Sequence, residues 1–388
     1  MRYVLSILLF LSIAVAGATA GPERTTLGDI PRTYSHYMNA REAALCRASA
    51  ATGGLSAYFF NPACAADVSG VGGQATLRFN SKSREYLPDG DESLTADDDF
   101  VLFSQAMAVK RTDTWALGFG YSCPSYRDVD LTGRLAHDEE IKPYTGHFNG
   151  SLRFFEAIFA ARFGSHDQGV FGISTGAVNV TESAKEIRPG EPIDSADLSG
   201  LGYSLALGFS FDATEALTFG LGYRWGSEIT MKGQWYRQDR RGEKTVTQPV
   251  AVGGVRFRPV EAVTLHASYI REGWDKARAD LSAQVPTDED PEYDGSRDEF
   301  DEPISSAALG AEVGLMDGQL AVRAGYSQQV GADIDEGIVP DTSIGFGGSY
   351  YFVEYFVDVA LVREGFKEGG RDGGMTNVGL YLTIGYLF

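Results

Sequence analysis

From about residue 70 onward, apolar and aromatic side chains recur at every second position, and Gly, Ser, Ala or a charge fills the positions between. That is the period of a β-strand with two unlike faces. Trp115, Leu117, Phe119 and Tyr121 form one parity against Ala116, Gly118, Gly120 and Ser122, and residues 201–211, 217–225, 320–326 and 378–388 repeat the arrangement.

The pattern predicts fourteen strands, near 72–80, 100–110, 114–122, 148–162, 168–178, 200–211, 216–226, 248–257, 262–271, 303–313, 319–328, 342–352, 355–364 and 376–388. Short connections fall near 111–113, 164–167, 212–215, 258–261, 314–318 and Val353, and long ones at 81–99, 123–147, 179–199, 227–247, 272–302, 329–341 and 365–375. Short and long connections in alternation are what outer-membrane barrels show, with turns in the periplasm and loops outside. Both chain ends are therefore expected in the periplasm. The apolar residues of strands 2 and 4 (100–110 and 148–162) do not alternate cleanly, so counts of twelve or sixteen stay open.

In a soluble sandwich the second parity would carry long charged side chains. Here it is small as well as polar, which suits a lumen that something else must enter, and aromatic residues near strand ends suit interfacial girdles. Residues 1–20 read as a signal peptide: Arg2, an apolar stretch from Val4 to Ala16, and the small-x-small site Ala18-Thr19-Ala20. Beyond it no run of about 18 apolar residues occurs, so no helix is expected to span a bilayer. Only helices and closed barrels satisfy every backbone hydrogen bond in lipid. The fold class is thus an all-β transmembrane antiparallel barrel of about fourteen strands at 71–388, preceded by residues 21–70.

The formal net charge of -20 excludes nucleic acid as a partner, since phosphates need basic contacts. The acidic long connections, such as 89–99 and 288–302, match no calcium-loop spacing. The five histidines are scattered without metal-ligand spacing, so neither a metal nor a cofactor is expected. Of three cysteines, Cys46 and Cys64 could pair and leave Cys123 odd, or all three could be buried thiols. His266 and Ser268 are the one suggestive nucleophile–base pair, yet two-apart residues on a strand stand too far apart to share a proton, and no enzyme is expected.

About fifty mature residues precede the first strand. Within them 40–57 is rich in Ala, Gly and Leu, and Tyr58-Phe59-Phe60-Asn61-Pro62-Ala63 follows. Apolar residues so placed are best buried in the lumen as a plug with short helices. At this point the chain resembles the FadL-type outer-membrane transporters of long-chain fatty acids and other hydrophobic compounds. The Asn61-Pro62-Ala63 triplet is similar to the signature closing that family's N-terminal hatch, and WALGFGYSCP (115–124) resembles its strand 3, which ends in proline. Residues 217–226, Pro249 with Arg258-Pro259, 323–326 and Val339-Pro340-Asp341-Thr342 leading to Gly347 follow in family order. Cys64 stands where the family usually has glycine, and the loops show no likeness.

The resemblance implies capture of a hydrophobic ligand near the outer loops, passage past a movable hatch at Phe59, Phe60, Asn61, Pro62 and Ala63, and sideways exit at a kink in strand 3. Gly118, Gly120 and Pro124 are the candidates for that opening, although the glycines could equally make lumenal room. Asn61 and Pro62 could fix a turn without gating, and Phe59 and Phe60 could pack the plug or touch ligand. Arg224, Arg256, His266, Arg323 and Asp358 fall on the lumenal parity, where an arginine could meet a fatty-acid carboxylate or join an ion-pair network holding the plug. Outer-membrane lipid, and the barrel assembly machinery met through the last strand ending at Phe388, are the other expected partners of a monomer. A diffusion porin for polar solutes and a surface adhesin are the alternatives.

Overall fold

The computed structural model describes residues 37–68, 70–81, 83–86, 93–97, 100–137, 140–164, 168–187, 194–235, 238–273, 278–279, 303–330, 342–365 and 376–387. Residues 1–20, expected to be a signal peptide, and residues 21–36, 339–341 and Phe388 lie outside them.

Fourteen antiparallel strands form the wall: β1 (Val71–Ser81), β2 (Phe100–Arg111), β3 (Trp115–His137), β4 (Glu140–Phe163), β5 (Gly169–Ile187), β6 (Asp194–Thr214), β7 (Leu217–Arg224), β8 (Val250–Val260), β9 (Val263–Glu272), β10 (Ile304–Leu315), β11 (Leu320–Gln329), β12 (Thr342–Phe352), β13 (Tyr355–Gly365) and β14 (Thr376–Leu387). Each pairs with the next, and the ring closes where β1 pairs with β14 from Gly72↔Leu387 to Ser81↔Val378. Closure removes the sheet edges that lipid could not satisfy.

One parity of each strand is exposed and apolar, including Phe119, Leu201, Leu221, Leu309 and Phe346, and the other is buried inward. A closed barrel with an apolar outer belt is membrane-spanning. No helix among the described residues is long and apolar enough to cross a membrane.

The two strands that alternate poorly have separate causes. In β4, Phe154, Ile158 and Ala160 are buried inward while Phe155 and Phe159 face out, because the lumen there is itself apolar. In β2 a bulge opposite Thr76/Leu77 turns both Ser104 and Gln105 inward and reverses the parity.

Several connections expected to be loops are strand. Most of 123–147 continues β3 and β4 as a paired ribbon, from Ser125↔Leu152 to His137↔Glu140. Strand 3 therefore does not end at Pro124 but passes through it. Likewise β5 and β6 extend to Ile187 and back to Asp194 across much of 179–199. Residues 228–235 and 238–246 form a hairpin whose first strand pairs with the upper part of β6, and 83–86 with 93–97 form another on β3. Turn propensity at Pro and Gly was outweighed by the ladder hydrogen bonds a neighbouring ribbon supplies.

At the turn between β12 and β13, Val353 has φ +57° and is 99 % exposed. A β-branched residue in the left-handed region is strained. Val353→Asn should therefore raise resistance to urea by on the order of 1 kcal/mol with unchanged electrophoretic mobility of the folded barrel.

Candidate functional site: the plug and its seat

Residues 37–68 lie inside the wall, nearly all of them buried against its inward-facing side chains. The helix Ala40–Ala44 starts at Asn39, whose Oδ1 accepts from Glu42 N at 3.0 Å, and short 3-10 helices cover Gly54–Ala57 and Pro62–Asp67. Helix propensity alone could not sustain such short pieces, so packing inside the wall holds them. Cys46, Cys64 and Cys123 are all buried free thiols.

Where β1, β2 and β14 meet, polar groups grip the start of the plug. Ser104 Oγ donates to Met38 O at 2.9 Å, Asn39 Nδ2 donates to Gln105 Oε1 at 3.1 Å, and Ala40 N donates to Thr383 Oγ1 at 3.0 Å. The β2 bulge thus aims two side chains at one short segment.

Asn61, fully buried, uses its whole amide. Its Nδ2 donates to Ala51 O at 2.7 Å and to Phe209 O of β6 at 3.1 Å, while Oδ1 accepts from Ala63 N at 3.1 Å. It thereby joins two limbs of the plug to the wall, and Pro62 sets the first φ of the turn that follows. Side-chain-free positions receive this segment: a Cβ at Gly172 would overlap Ala63 N, at Gly208 Asn61 Oδ1, and at Gly222 Phe60 O.

Arg224 on β7 is the centre of the seat. Its Nη2 donates to Phe59 O at 2.8 Å and Nε to the same carbonyl at 3.2 Å. Nη1 and Nη2 also reach the two oxygens of Glu156 on β4 at 2.5 and 3.0 Å, and Ser174 and Ser204 donate to Glu156 Oε1. The guanidinium lies 4.0 Å from the Phe59 ring centroid and 5.0 Å from that of Phe154, and the two rings meet edge to face. Phe59 and Phe60 pack into the apolar cluster that includes Met38, Leu152 and Val178.

A second network holds the other limb. Arg41 of the plug pairs with Glu312 at 3.4 Å, Glu312 bonds Arg323, and Arg323 bonds Ser349 and lies 3.7 Å from Asp358. Arg47 pairs with Glu272 at 2.9 Å. Arg256 donates to Thr218 Oγ1 at 3.0 Å and to Thr52 O of the plug at 3.5 Å. His266 is buried nearby with neither ring nitrogen hydrogen-bonded, and Ser268 Oγ donates to Arg47 O instead.

All five lumenal charges inferred from parity thus lie inside, and Arg224, Arg256 and Arg323 join networks that bear on the plug. Their partners Glu156, Glu312 and Arg41 were missed, as was the separate Arg47–Glu272 pair. Glu156 is masked by the apolar lumen of β4, whereas Glu312 was readable from the alternation of β10.

Glu42 is buried in the plug, and desolvation raises its carboxyl from 4.5 to about 8. A carboxyl raised on docking stays protonated while the undocked form ionises. Docking is therefore strongest below pH 4.5 and weakens as pH rises towards 8. Protease protection of the plug should fall over that window, and Glu42→Gln should flatten the profile.

The wall itself is interrupted at β3. Its ladder with β2 stops at Gln105↔Ser122, and its register on β4 shifts between Ser122 and Ser125, around Pro124, which has no N–H to donate. Phe100, Leu102 and Cys123 close the place with side chains, and the Phe100 and Tyr126 rings lie 4.8 Å apart. Below it Gly120 leaves room for the Tyr58 ring, and Gly118 comes close to Ala108 O and Val109. The Tyr58 hydroxyl donates to Tyr121 O at 3.0 Å and lies 2.5 Å from Ser122 Oγ. One plug residue therefore touches the rung where the ladder ends.

No protein-family model and no curated protein matches the sequence. Solved structures do. The Pseudomonas putida toluene transporter TodX aligns with a TM-score of 0.57 at 13% identity, over 92% of this chain and 99% of that one. A Pseudomonas aeruginosa FadL homologue gives 0.58 at 14%, over 90% and 98%. The Ralstonia pickettii toluene transporter TbuX gives 0.58 at 14%, over 92% and 99%. This chain therefore has the fold of the FadL-type outer-membrane transporters.

Proposed function

We propose that the protein carries hydrophobic small molecules inward through the outer membrane, with residues 21–70 as a hatch and both chain ends in the periplasm. The ligand enters among the long connections, passes the segment Phe59–Ala63, and leaves sideways through the wall between β2 and β3. Long-chain fatty acids are the cargo implied by the family resemblance, and toluene is the one named for two of the similar structures.

The observation that carries this reading is the pair of bonds from Tyr58 to Tyr121 and Ser122. They tie the hatch to the end of the β2–β3 ladder, so displacement of the hatch removes support from a place where the wall is interrupted. A lipophile needs help across the polar surface layer and none within the bilayer core, which makes a sideways exit sufficient.

Liposomes containing the protein should take up a hydrophobic fluorophore while passing little ionic current. Tyr58→Phe, which keeps the ring against Gly120, should change the uptake rate several-fold with the barrel intact. Large steady conductance in the wild type, with no fluorophore uptake, would support a porin instead.

A further inference from the structure

The interruption beside β3 is a bounded window. One end is the last β2–β3 rung, Gln105↔Ser122, and the other is Asp97↔Asp130, where the hairpin strand 93–97 joins β3. Between them residues 125–129 pair with β4 but, among the described residues, with no strand on the other side. Side chains span the window instead.

On the exposed parity, Phe103 of β2 and Tyr121 of β3 stack with ring centroids 5.6 Å apart and 17° between their planes, and Tyr121 also meets Phe155 of β4 at 5.2 Å. Phe103 is 44% exposed and Phe155 50%, so the stack faces lipid. It joins β2 to β3 on the outside just where their backbone ladder stops, and such ring pairs are favourable beyond the area they bury.

Each leaf of the stack adjoins a grip on the plug. Phe103 precedes Ser104 and Gln105, which the β2 bulge turns inward to Met38 O and Asn39 Nδ2. Tyr121 accepts from the Tyr58 hydroxyl through its own carbonyl, and Ser122 Oγ lies 2.5 Å from that hydroxyl. Neighbouring side chains on a strand point to opposite faces, so a lumenal contact at Ser104 or Ser122 sets the position of the lipid-facing ring beside it. Two limbs of the plug thus fix the two backbones that carry the rings.

We propose that the Phe103–Tyr121 stack is the lipid-side door of this window and that the plug holds it shut from both strands. With the plug seated, the rings stay together and the window is closed to lipid. When residues 38–39 and Tyr58 leave their contacts, β2 and β3 are free to part and the stack opens. The proposal rests on the sideways-exit reading for its purpose and adds the regulation of that exit.

Cys123 is a native reporter, a free thiol that is 2% exposed and packed with Phe100 and Leu102 at the window. The test is the rate at which N-ethylmaleimide labels Cys123 of the full-length protein in liposomes. Peptide mass spectrometry separates it from Cys46 and Cys64, and heat-modifiable mobility confirms the folded barrel. Phe103→Leu, which trims a lipid-facing ring, should label about two- to ten-fold faster than wild type. Tyr58→Phe and Ser104→Ala, each lacking one buried hydroxyl inside, should accelerate labelling by about the same factor. A wild-type rate in folded Phe103→Leu would show that the stack closes nothing, and a wild-type rate in the conservative pair Tyr58→Phe/Ser104→Ala would show that the plug does not hold it. Either result overturns the proposal. Labelling is read without transport: a wild type that takes up no hydrophobic fluorophore, while labelling follows the variants, defeats the uptake reading and supports the door. Uptake with labelling unchanged in the variants overturns the door alone.

Discussion

Replacing Arg224 by methionine should loosen the plug by about 3–5 kcal/mol while the barrel still assembles. The guanidinium has two tasks that end together. It holds the Phe59 carbonyl by two hydrogen bonds, and it neutralises Glu156, which is fully buried on β4. Without it, Ser174 and Ser204 still donate to Glu156, but a buried carboxylate without a counter-charge is the larger cost. Loss should appear as faster proteolysis of the plug and as new ionic current in planar bilayers. The double variant Arg224→Met/Glu156→Leu should recover most of the loss, since an apolar pair can replace a buried ion pair at little cost. If the single variant were as protected as wild type, the seat would not depend on this pair.

Gly208→Val should displace the plug outright. The added Cβ would overlap Asn61 Oδ1 and lie 2.8 Å from Pro62 Cδ and 2.9 Å from Ala63 N. Gly208 is not among the positive-φ glycines, so the strand accepts valine locally and the strain falls on the contact. Asn61 would lose its three hydrogen bonds, on the order of 3 kcal/mol in sum. The expected result is a folded barrel with an exposed plug and raised conductance. Gly150→Ala is the control, because the nearest atom to its new methyl is Thr181 O at 3.6 Å. Unaltered conductance in Gly208→Val would show that the plug yields without leaving its seat.

The sequence reading succeeded where neighbours along the chain carry the information and faltered where the lumen does. Residues 201–211 alternate because lipid lies on one side and small lumenal space on the other. Phe154 and Ile158 broke that rule because the plug makes their side of the wall apolar too. Ser104 and Gln105 broke it because a bulge changes parity, which no alternation count contains. Pro124 looked like an end because proline lacks a donor, yet β3 passes through it on the ladder with β4 and leaves only a bulge.

The same division holds for the site. Asn61-Pro62 could be recognised from three residues because the turn they make is local: the amide caps Ala63 N two positions on. Arg224 could be assigned to the lumen by parity alone. That its partner is Glu156, 68 residues earlier, depends on the packing of β4 near β7.

What the sequence by itself determined is the barrel: a wall of about fourteen strands, its apolar outer face and the presence of a segment too apolar to stay outside. Those follow from periodicity and length, properties that lipid and backbone hydrogen bonding impose on each strand separately. Only the tertiary structure decided how the plug is held, which lumenal charge meets which, and that Tyr58 reaches the rung where β2 and β3 part. Those depend on contacts between residues far apart in the chain, fixed by closure of the wall around the plug.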